Sequence, residues 1–218
     1  MKFQKKKMIL FFFSLIMSFF ISFCFADDVV LIKITKDGKE EFSVDDRVKE
    51  ISFFKDYTEQ IIGLEKLQNL KKITFDKTAF IKNFNFIAMH RGIEILVIAD
   101  CTISDFEFIT KLEKLKILVL DSCVANFDRL DLINNQKLEF IGITNSKLEH
   151  FPRMKNIPQS LLYLNLSFNR ISSLSIDNGS ELANLSAIII DGNPIDKVLS
   201  RFSNSVEILP EKYLQHIM

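Results

Sequence analysis

The sequence contains no tryptophan and few of the residues that interrupt regular structure. Only 6 glycines and 4 prolines occur among its 218 residues, which excludes a collagen-like chain and a long Gly/Pro-rich disordered segment. A Gly-rich phosphate loop and the H-E-x-x-H and G-x-S-x-G motifs are also absent. What is present, 48% apolar and 26% charged residues, is enough to bury the core of a single globular or solenoid domain.

The first 26 residues have the layout of a secretory signal peptide. Four lysines among the first seven residues precede an apolar run from Met8 to Phe25, and Ala26 follows. This layout predicts export with cleavage after Ala26. One alternative is an uncleaved membrane anchor, since the run is close to the ~18–20 residues that span a bilayer. The other is a lipid on Cys24, against which the bulky Phe23 before it argues.

Cleavage would change the charge of the chain. The removed segment holds four of the 28 basic residues and none of the 28 acidic residues, so the net charge falls from +0 to −4. No basic cluster remains, and a mildly acidic surface does not favour nucleic acid or anionic lipid. We therefore expect no nucleic-acid partner, and membrane contact only through an uncleaved signal or a lipid anchor.

An apolar pattern recurs seven times with a period of 22–24 residues. The clearest copy, Leu161 to Leu174, reads L-x-x-L-x-L-x-x-N-x-I-x-x-L, and its first three apolar positions are apolar in every copy. The first position holds Val48, Leu70, Ile93, Leu115, Leu138, Leu161 and Leu185. The second holds Ile51, Ile73, Leu96, Leu118, Ile141, Leu164 and Ile188. The third holds Phe53, Phe75, Ile98, Leu120, Ile143, Leu166 and Ile190.

Each repeat predicts one short strand, because the x-L-x-L-x segment alternates with a period of two. A single strand and its return cannot bury their apolar side, whereas stacked copies can, with the strands forming one parallel sheet. About 10 to 12 residues remain for each return, which suits short helical turns rather than a long helix. Residues 48–199 are thus predicted to form an α/β solenoid, a horseshoe of seven repeats with a parallel concave β-sheet.

A further column, five residues after the second apolar position, holds small residues that are polar or thiols. They are Asp56, Thr78, Cys101, Cys123, Ser146, Asn169 and Asn193. The chain turns out of the strand here, and a short inward side chain can satisfy backbone groups that lack sheet partners. We therefore predict a structural ladder at this column.

With this column the chain resembles the leucine-rich-repeat family, in its short-repeat forms similar to the bacterial internalins. The resemblance extends from Val48 to Leu199 and is strictest in the last two repeats, such as Leu185-x-x-Ile188-x-Ile190-x-x-Asn193. It implies a protein that binds other proteins along the concave sheet. It carries over no catalytic residues and no cofactor.

The two ends depart from the repeat. Residues 27–47 contain two strand-like runs around Asp37-Gly38, a strong turn signal, and predict a capping hairpin beside the strand at Val48–Phe53. Residues 200–218 lose the repeat and are predicted to close the other end of the core.

Cys101 and Cys123 occupy one column in adjacent repeats and are the only cysteines left after cleavage. A disulfide is sterically possible at one strand spacing, and export would permit it. Two buried thiols are the preferred interpretation, because both side chains point the same way into the core.

The remaining polar residues do not suggest catalysis. His90, His150 and His216 fall in unrelated places and are expected at the surface, with no metal-ligand spacing between them. Asp76, Asp121 and Asp191 share one column with Asp100 close by, too far apart for paired catalysis and more consistent with a solvated acidic edge. We predict no enzyme, no metal site and no cofactor.

The strand positions that flank the two core residues supply the functional hypothesis. From the third repeat onward they turn mostly apolar, and they are expected to form one exposed strip. This predicted concave strip comprises Ile95, Val97, Ile117, Val119, Phe140, Tyr163 and Ile189. Contiguous exposed apolar surface usually marks an interaction site. The strip predicts an exported protein-binding module, found in the periplasm, at the cell surface or secreted. The alternative is a structural or self-associating envelope protein.

Overall fold

The computed structural model describes residues 28–54, 58–78, 81, 83–175, 182, 184–195, 197–199 and 207–209. The predicted signal peptide, residues 1–26, therefore lies outside the described residues, as does most of the predicted C-terminal cap. The described residues contain fifteen strands. They are β1 (Asp28–Thr35), β2 (Gly38–Asp45), β3 (Glu50–Phe54), β4 (Thr58–Ile62), β5 (Lys72–Asp76), β6 (Ile95–Ala99), β7 (Thr102–Ile103), β8 (Ile117–Asp121), β9 (Val124–Ala125), β10 (Phe140–Thr144), β11 (Tyr163–Asn165), β12 (Ser173–Ser175), β13 (Ala187–Ile189), β14 (Lys197–Leu199) and β15 (Glu207–Leu209).

The main sheet is parallel, with the strand order β15-β13-β11-β10-β8-β6-β5-β3. Its register follows the sequence columns: Leu96 pairs with Leu118, Leu118 with Ile141, and Ile141 with Leu164. The predicted parallel sheet is confirmed. The sequence pattern gave seven strands, whereas the described residues contain an eighth, β15, which extends the sheet from β13 after the repeat has faded.

The core lies on one face of this sheet. Leu96, Leu118, Ile141 and Leu164 of the second apolar position are fully buried. The third position is buried from Phe53 to Leu166 and partly buried at Ile190, and at its start Phe53 stacks on Phe75 with ring centroids 5.3 Å apart. Alternation along each strand places these residues inward and their neighbours outward.

The returns contain short 3₁₀ helices. They span Leu64–Lys66, Asn85–Met89, Glu107–Lys111 and Phe127–Arg129. Two-stranded parallel ladders, β7 with β9 and β12 with β14, accompany them. The described part of the chain contains no α-helix, which agrees with the short length of the returns. None of its helices is long and apolar enough to cross a membrane.

Phenylalanine rings connect the repeats within the core. Phe75 packs edge-on against Phe84 at 5.5 Å, and Phe84 contacts Phe108 at 5.5 Å. Farther along, Phe106 and Phe127 lie 5.9 Å apart. These contacts place several of the 22 phenylalanines of the chain in the core.

The N-terminal hairpin forms between β1 and β2, with Thr35 paired to Gly38 across the turn. The predicted neighbour of this hairpin is wrong. It does not join the strand at Glu50–Phe54. Instead β1 pairs antiparallel with β4 in a separate three-stranded sheet. Gly63 allows this, because its φ of 98° lets the chain pass close beneath β1, where a Cβ atom would lie 3.1 Å from the Val30 carbonyl oxygen.

Candidate binding surface

The outward face of the main sheet carries a second apolar cluster, separate from the core. Phe140 and Ile189 are its buried members, and Ile117, Val119 and Tyr163 pack against them, partly buried. Pairing of Phe140 with Ile117 on one side and Tyr163 on the other aligns the first of these columns across three strands. The structure thus brings five residues of the predicted concave strip together.

The expectation that the whole strip is exposed is wrong for two residues. Phe140 is only 4% exposed, because its ring lies over Gly142, where a Cβ atom would stand 3.2 Å from Phe140 Cε1. Ile189 is fully buried, and it lies between β11 and the unexpected strand β15.

The accessible part of the strip lies in the third and fourth repeats. Ile95 and Val97 on β6 pair with Ile117 and Val119 on β8, and all four side chains are half-buried rather than buried. We call these four residues the accessible patch. Tyr163, also half-buried, lies two strands beyond it on β11.

An acidic edge borders this patch where the strands end. It comprises Asp76, Asp100 and Asp121, whereas Asp191 lies farther along the sheet, after β13. The carboxylate of Asp121 accepts hydrogen bonds from the Thr144 hydroxyl at 2.5 Å and from Asn145 Nδ2 at 2.7 Å. The Asp100 backbone N–H donates to the Asp121 carbonyl oxygen at 2.9 Å, so these two residues lie side by side.

One column shortly after the strands of the main sheet has a left-handed backbone. The column with positive φ holds Lys77, Asp100, Ser122, Asn145, Phe168 and Gly192. This conformation turns the chain toward the ladder residue that follows. Asp, Asn and Gly tolerate it well. The column also contains Lys77 and Phe168, so residue type alone does not predict it. Phe168 is 47% exposed, and its ring lies directly over Gly192.

Asn169 is the most extensively hydrogen-bonded residue of the ladder column. Its Oδ1 accepts from the backbone N–H groups of Ser146 at 2.9 Å and Leu148 at 3.1 Å, both in the preceding repeat. Its Nδ2 donates to the carbonyl oxygens of Ile143 at 2.7 Å and Leu166 at 2.9 Å. One side chain thus joins two neighbouring repeats.

The next repeat uses Asn193 in the same way. Its Oδ1 accepts from the Ile171 N–H at 3.0 Å, while its Nδ2 donates to the Leu166 carbonyl oxygen at 2.8 Å. In the repeat before that of Asn169, the Ser146 hydroxyl oxygen accepts from the Cys123 N–H at 3.0 Å. Asp56, the first predicted ladder residue, lies outside the described residues.

The ladder continues through a buried hydroxyl and two buried free thiols. Thr78 Oγ1 and Cys101 Sγ lie 3.2 Å apart, and the Cys123 thiol donates to the Ile98 carbonyl oxygen at 3.3 Å. Burial raises the pKa of Cys101 and raises that of Cys123 to about 12. Both groups therefore stay protonated at neutral pH and are poor nucleophiles.

The expectation that His90 lies at the surface is wrong. It is 5% exposed, its Nδ1 accepts from the Gly92 N–H at 3.2 Å, and its Nε2 lies 2.6 Å from the Leu67 carbonyl oxygen. Since Nδ1 accepts, Nε2 carries the proton and donates. One column on the return side contains Leu67, His90 and the buried Asn135, so reading that column could have predicted this second ladder.

The other histidines and the acidic groups form no ligand set in the described residues. His150 is exposed, with Nε2 3.6 Å from Asp128 Oδ2, and His216 lies outside the described residues. Among the residues described, no group of three His, Cys, Asp or Glu side chains is placed to hold a metal.

Comparisons with known proteins place this geometry among solved folds. No family model matches the chain, and no curated protein matches it. Internalin C2 from Listeria monocytogenes has a TM-score of 0.50 and 20% identity, over 77% of this chain and 85% of that one. An internalin (InlF) from the same organism has a TM-score of 0.48 and 18% identity, over 78% of this chain. The chain spans 57% of InlF.

A more distant likeness is to TLR13 in a complex with ssRNA13. Its TM-score is 0.48 at 13% identity, over 74% of this chain and 28% of that chain. The likeness to internalin C2 concerns the fold alone and agrees with the strand register and the repeat columns. Together these observations identify the chain as a protein with the leucine-rich-repeat fold.

Proposed function

We propose that this chain is an exported, non-catalytic protein that binds another protein on the concave face of its sheet. The observation that carries the proposal is the apolar cluster on the outward face. Ile117, Val119 and Tyr163 remain partly exposed there, although the core already fills the inner face. Apolar surface held in water costs free energy and is usually covered by a partner.

Protein is a better fit than nucleic acid for this face. At the carboxyl ends of the strands the accessible patch is bordered by carboxylates, which would repel phosphates. Lys72, the in-register neighbour of Ile95, lies 3.2 Å from Glu50 and is compensated by it. Half-buried aliphatic side chains instead match apolar side chains of a folded protein or an extended segment. The enzyme alternative would require polar side chains that converge on one point, and no such set is seen among the described residues.

Export is the part of the proposal that rests on sequence alone. The lysine-rich start, the apolar run and Ala26 support cleavage after Ala26. Mass spectrometry of the protein made in its own host is expected to find Asp27 at the N-terminus. Retention of Met1, or a lipid on Cys24, would contradict cleavage at this position.

The binding proposal predicts that Ile117→Ser combined with Tyr163→Ser abolishes capture of the partner. Both side chains are half-buried on the outward face, so the change removes apolar contact area and leaves the core intact. Phe140 is left unchanged because it is buried. Capture from cell extracts by the immobilised protein is measured by quantitative mass spectrometry.

A matched control removes apolar residues from the return side. Met89 and Ile133 are 69% and 53% exposed there, and Met89→Ser with Ile133→Ser is expected to capture the partner as well as the parent does. Circular dichroism checks that both variants are folded. Equal capture by the outward-face variant and the parent would show that the partner binds elsewhere.

A further inference from the structure

The accessible patch and the acidic edge lie on the same two strands. Outward positions along β8 are Ile117, Val119 and Asp121, so a carboxylate follows the apolar side chains. Successive outward positions on a strand are about 6.6 Å apart. Asp100 lies beside Asp121 at the end of the neighbouring strand β6. A segment that covers the patch therefore meets carboxylates within a few residues.

The carboxylates at the two ends of the sheet differ in their partners. At the amino ends, Glu94 lies 2.8 Å from Lys116 and 3.2 Å from Lys71, and these lysines hold the pKa of Glu94 below its ordinary value. At the carboxyl ends, Asp76, Asp100 and Asp121 make no ion pair with any described residue. Lys77 lies in the same turn column as Asp100, but it too makes no ion pair with these carboxylates.

The negative field of these carboxylates reaches the buried thiols beneath them. Burial is the largest cause of the raised pKa of Cys101, and Asp100 and Asp76 raise it further. Asp121 and Asp100 do the same for Cys123. The carboxyl ends of β5, β6 and β8 thus bring together three carboxylates that form no ion pair with a described residue, with Lys77 as the neighbouring cation.

We infer that the partner covers the accessible patch with apolar side chains and places lysine or arginine against Asp76, Asp100 and Asp121. This inference rests on the proposed binding at the concave face. Ammonium and guanidinium groups supply the positive charge and the several N–H donors that this acceptor-rich edge lacks. A second copy of the chain fits less well, because residues 27–218 carry a net charge of −4.

Synthetic peptides of equal length, in which leucine alternates with arginine, glutamine or glutamate, test this chemistry. Fluorescence anisotropy measures their binding to the purified protein. We expect the arginine peptide to bind at least about tenfold more tightly than the glutamine peptide, and the glutamate peptide to bind most weakly. Added salt should weaken only the arginine peptide's binding appreciably.

Asp76→Asn combined with Asp100→Asn removes charge at almost constant shape, and asparagine tolerates the left-handed backbone at residue 100. Asp121 is kept because it accepts from Thr144 and Asn145. In this variant the arginine preference should be clearly smaller, since Asp121 alone remains, while binding of the glutamine peptide stays unchanged. An unchanged thermal midpoint confirms that the variant is folded.

Three results would overturn the inference. The arginine preference could persist undiminished in the asparagine variant, or no peptide could bind the parent. Alternatively, the parent could bind arginine and glutamine peptides equally, and the Ile117→Ser, Tyr163→Ser variant could bind neither. This last result would leave binding at the concave face standing and reject only the basic partner, so the two proposals fail separately.

Discussion

Phe75→Ala is expected to lower the free energy of unfolding by about 3–5 kcal/mol, the range for removing a buried aromatic ring. Phe75 is fully buried and contacts the rings of Phe53, Phe84 and Phe86. Its loss leaves a cavity where the first repeats join the rest of the solenoid. Since each repeat is stabilised by its neighbours, the change should also loosen the N-terminal hairpin.

Urea denaturation followed by circular dichroism measures this effect. Phe54→Ala is the control. Phe54 is a phenylalanine on the neighbouring strand β3, but it is 58% exposed. A surface change of this kind should alter stability by no more than about 0.5 kcal/mol. If both variants unfold at the same urea concentration, the assignment of Phe75 to the core is wrong.

Asn169→Ala is expected to cost about 1–3 kcal/mol, because truncation strands buried backbone groups. The N–H groups of Ser146 and Leu148 lose their acceptor, and the carbonyl groups of Ile143 and Leu166 lose a donor. No water can enter easily at a side chain that is 5% exposed. The denaturation midpoint again measures the loss.

Two asparagine controls separate the ladder from ordinary surface contacts. Asn134 is exposed and donates one hydrogen bond to the Thr110 carbonyl oxygen, so Asn134→Ala should change little. Asn145 is exposed, but its φ of 51° makes alanine strained there, at a cost of about 1 kcal/mol. Equal midpoints for the Asn169 and Asn134 variants would refute the ladder role.

The repeat columns of the sequence predict the sheet because stacking is local. Once Leu96, Leu118 and Ile141 are aligned one period apart, parallel register follows for every neighbouring pair. The partner of the N-terminal hairpin does not follow. It depends on Gly63, which has no glycine counterpart in the other repeats, and on β4. Strand β4 pairs antiparallel with β1, whereas the return strands β7, β9, β12 and β14 pair in parallel with each other.

Burial on the outward face depends on contacts between columns, which periodicity does not report. The pattern places Phe140 and Ile189 correctly on that face. It does not show that Gly142 admits the Phe140 ring, or that β15 adds a strand beside Ile189. The position of His90 alone suggests the surface. Its burial follows from its place in one column with Leu67, whose carbonyl oxygen it contacts.

The acidic edge was visible in the sequence, but the features that give it a chemical preference were not. Asp76 and Asp121 share a column, and Asp100 is close in the chain. The contrast between these carboxylates, which make no ion pair with a described residue, and the lysine-paired Glu94 requires atomic positions. Sequence patterns report which residues share a face, whereas hydrogen-bond satisfaction is a property of the folded chain.

Site-specific photo-crosslinking tests binding at the concave face most directly. A benzoylphenylalanine placed at Val97 or Val119 lies in the accessible patch, whereas one at Met89 or Ile133 lies on the return side. Each folded variant is irradiated with the captured partner. Covalent adducts from positions 97 and 119, and none from positions 89 and 133, are the predicted result. Adducts from position 89 or 133, with none from position 97 or 119, would contradict binding at this face.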